Sequence, residues 1–175
     1  AAHPRRVELA HRVRPGSRRR IGDLADDIDH LLHGDFPGAV SRFEDPEKPV
    51  IFLMSRLDQV KNVTGFVEWY GRDPRLRELA NVFIIGGCTS VEESGDEEEK
   101  REIERLHRLI HDHGLHGHLR WVPKQSDKVF NGELYRTIAD RRGIFVQPAQ
   151  FEAFGLTVIE AMTSGLPTFA TIHGG

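Results

Sequence analysis

Two carboxylates, Glu152 and Glu160, flank the short turn Phe154-Gly155-Leu156-Thr157. The turn follows an apolar run, Gly143-Ile144-Phe145-Val146-Gln147-Pro148, and opens a helix. The first backbone N–H groups of a helix have no partner within it and carry partial positive charge, so such a turn can hold a phosphate. Ionised carboxylates beside it are suited to sugar hydroxyls, which donate hydrogen bonds to them. Phosphate and sugar on one turn imply a nucleotide-sugar site. The plainer alternative is that Glu152 caps the helix and Glu160 lies on its solvated face.

Other residues that can do chemistry also follow apolar runs. Arg56 and Lys61 come after Val50-Ile51-Phe52-Leu53-Met54. Arg offers a two-pronged fork to phosphate and Lys a point charge, which suits a diphosphate leaving with developing negative charge. A surface pair of Arg56 with Asp58 is the simpler alternative. Gly86-Gly87 follows Asn81 to Ile85 and allows either close backbone approach or a tight turn. Gln125 follows the run ending at Val122, and its carboxamide can read a base edge. Asn131 can do the same, or cap a helix beginning at Gly132. His107 and His111 are spaced for one helix face, but no carboxylate or cysteine pattern of metal-site spacing accompanies them. Neither a Ser-His-Asp nor a Cys-His arrangement stands out, and Cys88 reads as a small buried residue.

The elements that must position these residues alternate. Strands are expected at 50–54, 81–85, 117–122, 144–147 and 167–171. Helices are expected from Val63 (with Asn62 or Thr64 at its cap), around Ile103 to Ile110, over 132–141 and over 155–164. The acidic, glycine-interrupted stretch 90–100 reads as a surface loop running into the second of these helices. The result is α/β, a Rossmann-like parallel sheet with helices on both faces, in which ligands bind beyond the carboxyl ends of the strands. Before it lie residues 1–47: an Arg-rich arm that reads as solvated, an amphipathic helix from Ile21 to His33, and a linker.

Composition narrows the function. A net charge of -3 over 175 residues, with a pI near 6.4, argues against a nucleic-acid binder. The single cysteine excludes an intrachain disulfide and fits a reducing compartment. No apolar run approaches a membrane span and no signal-peptide core is present, so a soluble, cytoplasmic protein is expected. Thr168-Phe169-Ala170-Thr171 reads as a buried strand and Gly174-Gly175 as the next loop, so the chain is expected to be a fragment.

Taken together, these segments resemble the sucrose synthases, retaining glycosyltransferases of the two-domain GT-B architecture. The resemblance runs from about Arg18 to Gly175. It is carried by Lys48-Pro49-Val50-Ile51-Phe52, Met54-Ser55-Arg56-Leu57-Asp58 and Val60-Lys61-Asn62-Val63-Thr64-Gly65. Further matches are Val67-Glu68-Trp69-Tyr70-Gly71, Asn131-Gly132-Glu133-Leu134-Tyr135-Arg136 and Gln147-Pro148-Ala149, then Glu152 through Met162. The paired-glutamate element is shared by many retaining glycosyltransferases. The Glu-Trp-Tyr-Gly and Asn-Gly-Glu-Leu-Tyr-Arg strings are more specific, and favour sucrose synthase over sucrose-phosphate synthase.

The resemblance implies that residues 48–175 are part of the C-terminal, nucleotide-sugar-binding GT-B domain. It implies reversible glucosyl transfer between sucrose and a nucleoside diphosphate, giving nucleotide-glucose and fructose. Arg56 and Lys61 match the residues that hold the diphosphate, and Gln125 and Asn131 those that contact the base. Glu152 matches the carboxylate that binds glucose hydroxyls and Glu160 the one that binds ribose. Backbone N–H groups of Phe154, Gly155, Leu156 and Thr157 would meet glucose and phosphate. No metal or other cofactor is implied; the substrates are UDP and UDP-glucose or ADP and ADP-glucose. The resemblance also implies an N-terminal GT-B domain supplying the fructose side and a catalytic histidine, assembly into homo-oligomers, and no turnover by these residues alone. Alternatives are another retaining glycosyltransferase, such as sucrose-phosphate synthase, and a non-catalytic nucleotide-binding module. Ser55 stands where the family usually has Ala.

Overall fold

The computed structural model of this chain describes residues 24–173. The Arg-rich arm, the expected helix start at Ile21 and the Gly174-Gly175 loop lie outside the described residues.

A five-stranded, all-parallel sheet forms the centre. Its strands are β1 (Val50–Met54), β2 (Asn81–Ile85), β3 (Leu119–Val122), β4 (Ile144–Gln147) and β5 (Thr168–Ala170), in the spatial order β3-β2-β1-β4-β5. Chain order reverses between β1 and β4. The loops after these two strands diverge there and leave a crevice at their carboxyl ends.

Side chains of the central strands alternate between two apolar clusters, one on each sheet face. Ile51, Leu53, Val82, Ile84 and Trp121 pack on one side. They meet Val63, Val67 and Tyr70 of α2 (Val63–Arg72) and Ile103, Leu106 and Ile110 of α4 (Glu97–Asp112). Val50, Phe52, Phe83, Val122 and Phe145 point the other way. They meet Ile28, Leu31 and Leu32 of α1 (Ala25–His33), Leu134, Tyr135 and Ile138 of α5 (Lys128–Asp140), and Ala161 of α6 (Leu156–Thr163). Phe52 is fully buried at the hub, stacked on Phe83 with ring centroids 5.5 Å apart and edge-on to Tyr135 and Phe145.

Arg120, also fully buried, lies on β3 and fastens α1 to the sheet. Its guanidinium donates to the carbonyls of Leu31 (2.8 Å), Gly34 (2.9 Å) and Ser41 (2.9 Å). The segment after α1 then bridges antiparallel to β3 through Val40 and Trp121.

Several local expectations are corrected. A short helix, α3 (Pro74–Leu79), follows α2; Asp73 accepts from the Leu76 N–H at 3.0 Å and Pro74 fills the first turn. Helix α4 takes in the last part of the expected acidic loop, because Asp96 accepts from the N–H groups of Glu98 and Glu99. Helix α5 begins four residues before Gly132. Its cap is Asp127, which accepts from Val129 and Phe130, so Asn131 lies inside the helix and does not cap it. Strand β3 begins at Leu119, two residues after Gly117, whose φ of 88° breaks the extended run.

Candidate functional site

The crevice between β1 and β4 is walled by two turns that are fastened to each other. After β1, Asp58 accepts from the Lys61 N–H at 2.8 Å and caps a short 3-10 turn, Gln59–Lys61. Asn62 then adopts a left-handed conformation (φ 54°). Its side chain makes no cap bond to α2 but donates to the Pro148 carbonyl at 3.1 Å. The Gln150 N–H donates to the Val60 carbonyl at 2.7 Å. Residues of one turn thus complete the other.

Across this join, Lys61 Nζ lies 2.6 Å from Glu152 Oε2. Both side chains are mostly buried, 15% and 22% exposed, so water screens the pair less than a surface pair. Gly155, with φ 74°, heads α6, and the N–H groups of Phe154 and Gly155 face the Glu152 carboxylate. The Lys61 hydrogen bond, opposed by burial, and these backbone donors hold the Glu152 carboxyl below its ordinary range. Glu152 thus faces two of the four N–H groups, those of Phe154 and Gly155, that the sequence suggested for phosphate and glucose. The structure brings Lys61, Glu152 and the head of α6 together, and the anionic group found there is the protein's own carboxylate.

Arg56 stands at the mouth of the same crevice, 79% exposed on its side chain, and pairs with Asp58 at 3.1 Å. The simple pair anticipated as an alternative is therefore present. It leaves the guanidinium at the edge of a cleft of about 190 Å³ that Lys61, Gln147, Glu152 and Thr157 also line.

A second cleft, about 200 Å³, brings Asn131 and Glu160 together. Lys128 and Arg136 also line it, and Arg136 pairs with the buried Glu133. Asn131 Nδ2 donates weakly to the Gln125 carbonyl at 3.4 Å, and its Oδ1 is buried with no hydrogen-bond partner. Gln125 folds its own amide onto the Pro123 carbonyl at 2.8 Å. Glu160 is exposed and faces the buried phenol of Tyr135, whose ionisation is pushed well above its usual range by burial first and by Glu160 second. A third cleft, about 320 Å³, runs over Phe154 and Gly155 and shares Gln147 and Glu152 with the first.

A larger cavity, about 530 Å³, opens at the other end of the sheet, against Lys48, Val50 and Arg141. The Arg141–Asp29 ion pair (3.0 Å) crosses its wall. The groups suited to phosphate and sugar converge at the carboxyl ends, so cavity size does not locate the chemistry.

Among the described residues, no cluster of three or more His, Cys, Asp or Glu side chains is placed to hold a metal ion. His107 instead bonds the Thr89 carbonyl at 2.8 Å and packs on Trp121. The Cys88 thiol is pushed up, by burial first and then by Glu99 and Glu93, which disfavours the reactive thiolate. No helix among the described residues is long and apolar enough to cross a membrane. Sequence reasoning passed over Gln147, which lies 3% exposed on the floor of the crevice. The signal available was its position as a polar residue closing an apolar strand.

The family model described as glycosyl transferases group 1 matches residues 40–175. A sucrose synthase of Nitrosomonas europaea is 54% identical over 159 residues, covering 90% of this chain and 20% of that protein. A sucrose synthase of Beta vulgaris is 59% identical over 132 residues, covering 75% of this chain and 17% of that protein. The chain thus spans about a fifth of the length of these relatives. Among solved structures, Anabaena Alr3699/HepE in complex with UDP and glucose superposes with a TM-score of 0.62 at 16% identity, covering 97% of this chain and 36% of that one. That likeness is one of fold: the sheet and its helices are those of a GT-B glycosyltransferase domain.

Proposed function

This chain belongs to the glycosyl transferases group 1 family, and from that premise we propose that it forms the nucleotide-sugar donor site of a sucrose synthase. The whole protein would transfer glucose reversibly between sucrose and a nucleoside diphosphate, giving nucleotide-glucose and fructose. One observation carries the reading: Lys61, Glu152 and the backbone N–H groups heading α6 converge where strand order reverses. The relatives named sucrose synthase, at 54% and 59% identity, supply the specific reaction.

In this proposal Lys61 and Arg56 neutralise the diphosphate, and the N–H groups from Phe154 to Thr157 meet phosphate and glucose. Glu152 accepts from glucose hydroxyls and Glu160 from ribose. Gln125 and Asn131 meet the base. Asn131 Oδ1, buried without a partner beside Glu160, supports a polar ligand group in that cleft. Glucose would transfer with retention, the diphosphate departing as its bond to the sugar breaks. Its charge grows most in that transition state, so the two cations act where stabilisation accelerates the reaction. Their charges, without a metal, are assigned this work. The nucleotide is UDP or ADP.

The fructose side and a catalytic histidine are assigned to an N-terminal domain, and assembly into homo-oligomers is carried over from the resemblance. A cytoplasmic location is favoured by the single unpaired Cys88. The test is an assay of the full-length protein with sucrose and UDP or ADP. Nucleotide-glucose and fructose should form, and Lys61→Ala should lower kcat by about 10²–10³. A requirement for fructose 6-phosphate in the reverse direction, or no sucrose-dependent product, would overturn the assignment.

A further inference from the structure

Gln147 ends β4, and its backbone carbonyl accepts from the Thr171 N–H at 3.3 Å. With its side chain buried, it is fixed from both ends. Nε2 lies 3.2 Å from Glu152 Oε2 and 3.5 Å from Thr157 Oγ1. An ionised carboxylate only accepts, so the amide edge facing it presents N–H.

The same oxygen of Glu152 therefore takes two donors, Lys61 Nζ at 2.6 Å and Gln147 Nε2 at 3.2 Å. The two differ in what else attracts them. Lys61 is charged, and a diphosphate arriving in the crevice competes with Glu152 for it. Gln147 is neutral and anchored in the sheet, so it has no reason to follow.

We propose that Gln147 is a positioning residue for sugar recognition: it holds Glu152 at the head of α6 when Lys61 turns to a diphosphate. The carboxylate then stays where sugar hydroxyls can reach it and does not follow the cation. The proposal rests on the nucleotide-sugar reading above.

The plainer role for a buried glutamine is to fill the core. The two roles separate in binding. Gln147→Met keeps the size and removes the donor. Calorimetric titration of the chain with UDP and with UDP-glucose should show UDP affinity within about twofold of wild type and UDP-glucose weakened about tenfold, near the worth of one lost hydrogen bond to a charged group. An unchanged ratio of the two affinities, whether both fall together or neither moves, would overturn the proposal.

A second measurement needs no ligand. The Gln147 side-chain amide signals, identified as the pair missing from the nitrogen-15 spectrum of Gln147→Met, should shift as Glu152 titrates in acid. They should stop doing so in Glu152→Gln. Signals that ignore Glu152 would overturn the proposal. If the chain binds neither UDP nor UDP-glucose, the nucleotide-sugar reading fails, and these signals still decide whether Gln147 holds the carboxylate.

Discussion

Lys61 Nζ stands 2.6 Å from Glu152 Oε2 although 91 residues separate them in sequence. The contact closes the crevice between β1 and β4 with a pair of opposite charges. In the proposed donor site, Glu152 competes with a diphosphate for Lys61.

The Lys61–Glu152 pair should be measurable as coupling. A double-mutant cycle of Lys61→Met and Glu152→Gln, read by urea unfolding, should give about 1 kcal/mol, toward the upper end for exposed pairs because this one is mostly buried. Near-zero coupling would show the pair does not persist in solution.

Acid should act through Glu152. Its folded-state ionisation lies below the ordinary value of 4.5, so its contribution is present above that value and is lost as pH falls through the lower, folded one. The stability difference between wild type and Glu152→Gln should therefore shrink progressively below about pH 4.5. A difference independent of pH in that range would contradict the assignment.

Arg120→Met should destabilise the domain by about 3 kcal/mol or more, since one buried carbonyl, that of Leu31, and two half-buried ones, of Gly34 and Ser41, lose charged donors. The loss should appear first in hydrogen exchange of α1, which the carbonyls of Leu31 and the following Gly34 tie to β3. Uniform loosening with no excess at α1 would show that the tether is not local.

Much of this architecture was legible in the sequence. Val50 to Met54, Asn81 to Ile85 and Ile144 to Gln147 read as strands because each is a short apolar run closed by turn residues. The helix over 155–164 was legible from Gly155 onward. The misses have physical causes. Asp73-Pro74 is itself a cap followed by a first-turn proline, but α3 is too short to show a period. Asn131 attracted the capping role by residue type, while Asp127 had the geometry. The pairing of Lys61 with Glu152, and the three carbonyls gathered by Arg120, are long-range contacts that no local pattern encodes. The sequence placed Arg56 near the site but left open its pairing with Asp58, which only relative position decides.

Gly86→Ala should perturb the crevice from behind. A methyl group there would press into the Ser55 carbonyl oxygen, where β2 ends against the turn leading to Arg56. The expected cost is about 2 kcal/mol or more in unfolding free energy, because backbone must shift to relieve it. A variant as stable as wild type would show that the two turns can separate freely.

Alkali should reveal Tyr70. Burial pushes its phenol up to about 12, and its hydroxyl donates to the Ala80 carbonyl at 2.8 Å. A raised folded value means the contribution is intact below the unfolded value near 10 and lost as pH climbs toward 12. Tyr70→Phe should be less stable at neutral pH by about 1 kcal/mol, and should lose less than wild type between about pH 10 and 12. Parallel alkaline losses would contradict this origin.

The central claim is that a nucleoside diphosphate binds where Lys61, Arg56 and the head of α6 meet. Calorimetric titration of the chain with UDP and with ADP, at matched ionic strength, tests it most directly. One of the two should bind, with affinity lowered about tenfold or more by Lys61→Ala and also lowered by Arg56→Ala. Binding that ignores both substitutions, or no binding of either nucleotide, would contradict the claim that this crevice is a formed donor site.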